Sequence, residues 1–127
     1  MRAYRDLIVW KKSMDLVKEI YKLVKMLPQE ERFALSDQMR RAAVSIPSNI
    51  AEGYGRNTTK DYARFLGIAR GSIYELQTQI HICIMLNFIS EQDANAAFEL
   101  SDEVSRIIFV LIERLTAKMN RNNPSIS

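Results

Sequence analysis

Six cations crowd the middle of this chain: Arg40, Arg41, Arg56, Lys60, Arg64 and Arg70. Phosphate is the ligand such a set suggests, because guanidinium and ammonium groups form strong charge-assisted hydrogen bonds with it. Four acids, Asp37, Glu52, Asp61 and Glu75, are interleaved with them and dilute the field a phosphate would feel. A structural role for these charges outweighs a phosphate-binding one. Asp37 and Glu52 are the types a general acid and base require, but no pattern builds a pocket around them. His81 is the only histidine, so a single chain cannot assemble a histidine metal cluster. Cys83 lies two positions further on the same predicted helix and faces elsewhere, which excludes a Cys–His dyad. Its simpler role is that of a small apolar core residue. No P-loop, nucleophile elbow or HExxH motif occurs. Tyr4, Trp10, Tyr54 and Tyr62 can stack on bases, yet aromatics at helical spacing more often line a core or an interface. The chain reads as a non-enzyme, with no cofactor, metal or small-molecule substrate indicated.

A cleaner cationic set lies near the N-terminus, where Lys11, Lys12, Lys18, Lys22 and Lys25 face only Asp15 and Glu19. The last predicted helix is the reverse: Glu91, Asp93, Glu99, Asp102, Glu103 and Glu113 against Arg106 and Arg114. Such faces are ordinarily just solvated. The sharper readings are complementary pairing of subunits, or a basic face that meets nucleic acid. The five lysines are the candidate nucleic-acid-binding residues, and a net charge of +3 permits that partner without requiring it.

These residues must be positioned by helices. The length of 127 residues fits one domain with a real core. Only 4 Gly and 3 Pro argue against the many turns of an all-β fold. A lone cysteine and the lack of a signal peptide or membrane-length apolar run point to the cytoplasm. Three- and four-residue apolar spacing predicts four helices. The first runs from about Leu7 to Leu27, with Asp6 as its cap and Pro28 ending it. The second begins at an N-cap, Ser36, and continues through a kink at Pro47 to Tyr54. The third starts at Thr58 with Asp61 as a partial capping box and ends near Asn87. The fourth starts at Ser90, boxed by Asp93. The expected fold is all-α: an antiparallel up-down-up-down four-helix bundle over residues 1–118, with a disordered tail over 119–127. Phe65, Ile68, Ile82 and Met85 widen the apolar stripe of the third helix, and Ile108 and Ile112 that of the fourth. Wide stripes fit a subunit interface or simply a thick core.

The second and third helices break local rules together. Arg41, Ser45, Ser48, Asn49 and Glu52 share one polar face around Pro47. Ser45 or Ser48 can bond backbone groups loosened by the proline, and Asn49 and Glu52 are expected to face Arg64 or Arg70. Gly67 and Gly71 sit mid-helix, where each costs about 1 kcal/mol against alanine. With Ala63 they form a small-residue ridge, read here as the place where the third helix approaches Ala42, Ala43 and the Pro47 bend.

The run FALSDQMRRAAVSIPSNIAEGYGR, followed by TTKDYARFLGIARGSIYELQTQI, closely resembles the 23S rRNA intervening-sequence proteins, and LIVWKKSMDLVKEIY is similar to that family's first helix. The resemblance spans about Tyr4 to Met119. It implies a cytoplasmic four-helix bundle, commonly a homo-oligomer and often a pentamer, with no assigned reaction and no catalytic residues to carry over. The accessory variability proteins of diversity-generating retroelements are similar in fold and bind a reverse transcriptase and nucleic acid through a basic surface. By that analogy the resemblance implies an RNA or ribonucleoprotein partner. The competing expectation is a protein-interaction scaffold with no nucleic-acid role.

Overall fold

The computed structural model describes residues 3–122 and contains four α-helices: α1 (Ile8–Val24), α2 (Leu35–Tyr54), α3 (Thr59–Met85) and α4 (Glu91–Asn122). Short 3-10 turns, Tyr4–Asp6 and Gln29–Glu31, precede α1 and α2. Each helix packs on its sequence neighbour, and α1 also packs on α4, which closes a four-helix bundle. Ser45 of α2 meets Ser72 of α3, while Gly53 lies against Tyr62 and Phe65. Between α3 and α4 the pairs are Gln77 with Ser101, and His81 with Phe98. In both cases one residue number rises as its partner falls, the signature of antiparallel neighbours.

The apolar spacing explains the core. Leu16 and Ile20 of α1, Met39, Ile46 and Ile50 of α2, Leu66, Ile73, Leu76 and Ile80 of α3, and Val104 and Ile108 of α4 are fully buried. Cys83 belongs to this core, with its thiol 3.6 Å from the Met39 sulfur. Burial, reinforced by the Glu31 carboxylate, pushes that thiol up to about 11.

Local signals fix both ends of α3 and the start of α4. Thr58 caps α3 by accepting from the Asp61 N–H at 3.1 Å. Ser90 and Asp93 form the reciprocal box at α4, with bonds of 2.9 and 3.0 Å. After α3, Asn87 takes the left-handed conformation at φ 64°, and the Phe88 N–H closes on the Cys83 carbonyl at 2.9 Å. The first two starts differ from the sequence expectation. Asp6 is part of the 3-10 turn and accepts from the Ala3 N–H, so Leu7 precedes α1 without a side-chain cap. Ser36 is buried one residue inside α2, and the N–H of Leu35 is met instead by Glu31 at 3.4 Å. α1 stops at Val24, short of Pro28. α4 continues to Asn122, so residues 119–122 are helical rather than tail, and the rest of the expected tail lies outside the described residues.

Candidate nucleic-acid interface

α1 buries Val9, Leu16, Ile20, Leu23 and Val24, so its opposite side faces solvent. Lys11, Lys18 and Lys25 recur every seventh residue, and Lys22 falls between the last two; all four are exposed. Seven residues are nearly two turns, so these ammonium groups form one stripe about 21 Å long. Lys11, Lys18 and Lys25 have no ion-pair partner among the described residues. Lys22 lies 3.6 Å from Glu19, a long pair between an exposed ammonium group and a half-buried carboxylate, of little energetic consequence. Asp15 is exposed in the same stripe and lowers its net charge. Lys12 stands apart from the other candidates. It lies on the flank toward α4 and pairs with Glu103 at 3.0 Å, so it ties two helices together.

The polar join of α2 and α3 is real but smaller than its sequence suggests. Ser45 and Ser72 share a hydrogen bond of 2.9 Å, and Asn49 donates to both the carbonyl and the hydroxyl of Ser45. Ser48 donates to the Val44 carbonyl at 2.7 Å. These bonds serve the two carbonyls that follow the one Pro47 leaves without its helical donor. The helix runs unbroken through Pro47, whose buried ring lines a hollow with Trp10, Met14 and Val17 of α1. The expected reach of Asn49 and Glu52 to Arg64 or Arg70 is absent. Asn49 stays within its own helix, and Glu52 pairs with Arg56 at 3.4 Å. Arg41 pairs with Asp37 at 3.0 Å, and Arg64 with Asp61 at 4.0 Å. Each acid was already close in sequence, so helical i,i+3 and i,i+4 geometry captured it first.

The largest correction concerns the glycines. Gly67 and Gly71 are exposed, and among the described residues nothing beyond the local helix lies within 4 Å of where a Cβ would stand. They do not bring α3 against α2. The residue that does is Gly53, singled out by no sequence argument about packing. A Cβ there would lie 2.7 Å from the Phe65 Cβ and 3.2 Å from the Tyr62 carbonyl. Phe65 is covered in turn by Arg56 and Arg64, whose guanidinium carbons lie 4.7 and 4.5 Å from its ring centre. Tyr54 and Tyr62 meet edge to face at 5.8 Å beside it. The clue was available: Gly53 continues the buried spacing of Ile46 and Ile50, whereas Gly67 and Gly71 lie off the buried seam of Leu66, Ala69 and Ile73.

Arg70 is the other group whose role only the structure shows. It points toward α4, its guanidinium carbon 4.9 Å from the Phe109 ring and 5.6 Å from Tyr74. Its Nε is buried and finds no acceptor among the described residues. Among the described residues no group of three or more His, Cys, Asp or Glu is placed to hold a metal, and no helix is long and apolar enough to cross a membrane.

A closed all-α bundle with charged outer faces defines the class. The sequence model of the 23S rRNA-intervening sequence protein matches residues 5–110, and the chain belongs to that family. Among solved structures it is similar to a protein of unknown function from the S23 ribosomal protein family of Bacteroides thetaiotaomicron, at 25% identity and a TM-score of 0.77, covering 83% of this chain and 98% of the other. Comparison with curated protein sequences found no match.

Proposed function

We propose that the protein is a non-enzymatic, self-associating bundle that binds structured RNA through the lysine stripe of α1. The observation that carries this reading is the stripe itself. Lys11, Lys18, Lys22 and Lys25 project from one side of a helix whose other side is core, so packing gives them no role. The family description names an intervening sequence of 23S rRNA, which makes a 23S rRNA fragment a fitting probe. Lys12, held by Glu103, contributes charge but not a free ammonium group. The assembly matters because one stripe is a modest anion trap, while several on one body act on the same RNA together. A homo-oligomer, a pentamer by family resemblance, is the form in which this surface would work, and a cytoplasmic setting suits it.

The test is filter binding of a structured 23S rRNA fragment across a salt series. Neutralising Lys18, Lys22 and Lys25 to glutamine is expected to weaken binding and to flatten the log–log salt dependence by about three per chain. Absence of binding by the assembled wild type at low salt would sink the proposal. An interaction scaffold without a nucleic-acid role predicts the opposite: the glutamine variant changes the mass of the assembly and not its contact with RNA.

A further inference from the structure

Glycine serves a helix in two ways, by adopting positive φ or by letting another backbone approach. Gly67 and Gly71 use neither within this chain. No glycine here has positive φ, and no described residue beyond the local helix approaches either side-chain position. Their residue-level cost therefore has no return inside the folded subunit. They are not isolated. Gly67, Gly71 and Tyr74 fall on one side of α3, since residues three and four apart are neighbours. That side continues across Arg70 onto α4; Tyr74 of α3 is 50% exposed, and Phe109 and Val110 of α4 are 43% and 41% exposed. Arg70, Ser105, Arg106, Phe109 and Val110 line an open hollow of about 380 Å³. A second hollow, about 320 Å³, lies between Arg106 and Arg114 along α4. Arg70, Arg106 and Arg114 form no ion pair with any described residue, and the Arg70 Nε is buried with no acceptor.

We infer that this face of α3 and α4 receives a second copy of the chain, whose carboxylates meet Arg70 and Arg106 while its helix lies along the bare backbone at Gly67 and Gly71. The proposal rests on the self-association reading above and names the face that carries it. Charge chooses the occupant. The first half of α4 exposes Glu91, Asp93, Glu99 and Asp102 and holds no base before Arg106, so the same chain carries the acidic counterpart of this basic-rimmed apolar face. Where the acidic patch of one copy meets the basic face of the next, the contact is head-to-tail and generates a ring when its rotation closes; antiparallel pairing of two α4 helices would instead give a two-fold dimer. RNA fits the face less well. The amides of a helix interior are already bonded, so backbone bared by glycine offers phosphate no donors, whereas it lets a second helix come close.

Sedimentation velocity over a concentration series tests the inference on the full chain. Two variants are compared with wild type: Gly67→Gln with Gly71→Gln, which fills the open ridge with good helix formers, and Arg106→Glu, a change at an exposed, unpaired residue. Both are expected to keep the helical circular dichroism of wild type and to weaken assembly at least tenfold, toward single chains of 14.7 kDa. The Lys18, Lys22 and Lys25 glutamine variant is expected to stay assembled. If both face variants assemble as wild type does, self-association stands and this face is overturned. If wild type is a single chain at every concentration, both readings fall. If the face variants lose RNA binding while their assembly is unchanged, nucleic acid occupies the face and the inference is overturned.

Discussion

The same substitution has opposite consequences at different glycines. Gly53→Ala forces a methyl group to within 2.7 Å of Phe65, next to the fixed carbonyl of Tyr62. Overpacking of this kind costs about 1–3 kcal/mol, and a urea melt should show that loss. Gly67→Ala or Gly71→Ala meets open space and removes a flexible residue, so the isolated chain should gain up to about 1 kcal/mol at each site. Gln79 offers a second residue-scale test. It is 5% exposed, and its Oε1 has no partner among the described residues. Gln79→Met removes an unsatisfied buried acceptor while keeping an unbranched shape, and should raise the melting temperature by an amount corresponding to about 1 kcal/mol. Cys83 gives a third. Its thiol ionises near 11 rather than at the ordinary 9.0, so the folded chain holds the proton more tightly than the unfolded one. Stability is then complete below pH 9 and falls as pH rises from 9 to 11. Folded protein should resist iodoacetamide at pH 8, and rapid labelling would contradict the burial.

At the scale of the helix, capping chemistry was legible at two of the four starts, those of α3 and α4. The pairs Thr58 with Asp61 and Ser90 with Asp93 were readable because both partners lie within one turn, where geometry admits few alternatives. Ser90→Ala should therefore cost about 1 kcal/mol in a thermal or urea melt, concentrated at the start of α4. Asp6 and Ser36 carried the same signal and do not cap. Asp6 is held in a preceding 3-10 turn, and the apolar period of Leu35, Met39 and Ala42 pulls Ser36 inside α2. The four helices and their buried seams were legible because burial imposes a period on the chain. Which helix each off-seam residue would meet was not. Local pairs such as Arg41 with Asp37 and Arg56 with Glu52 compete with long-range ones, and only the folded arrangement decides between them. Likewise the mid-helix position of Gly67 and Gly71 was plain in the sequence, but the face they present depends on how α3 rolls against its neighbours. The lysine stripe was the most legible part of the candidate site, since a seven-residue repeat keeps its side chains on one face wherever the helix docks. Lys12 lies off that stripe, about 100° around the helix from Lys11, and its partner, Glu103, ninety-one residues away, was not legible in the sequence.

At the scale of the whole molecule, the two proposed surfaces separate on the bundle: lysines on the outside of α1, the glycine and arginine face on α3 and α4. That separation makes assembly and RNA binding distinguishable yet coupled. Copies joined through α3 and α4 keep their α1 stripes free, so an RNA held by one stripe meets the next at high effective concentration. The variant Gly67→Gln with Gly71→Gln leaves every lysine in place and should nevertheless bind a structured 23S rRNA fragment about 100-fold more weakly than the wild type, because avidity is lost. Its salt dependence should shrink to that of a single stripe, since fewer phosphates are neutralised in each complex. The lysine variant should fail differently, staying assembled and losing affinity in proportion to the charge removed from each chain. Measuring RNA affinity and sedimentation on both variants separates these cases. If the dissociated glycine variant bound RNA as tightly and as steeply in salt as the assembly, one chain would be the binding unit, and the link between self-association and RNA binding would be wrong.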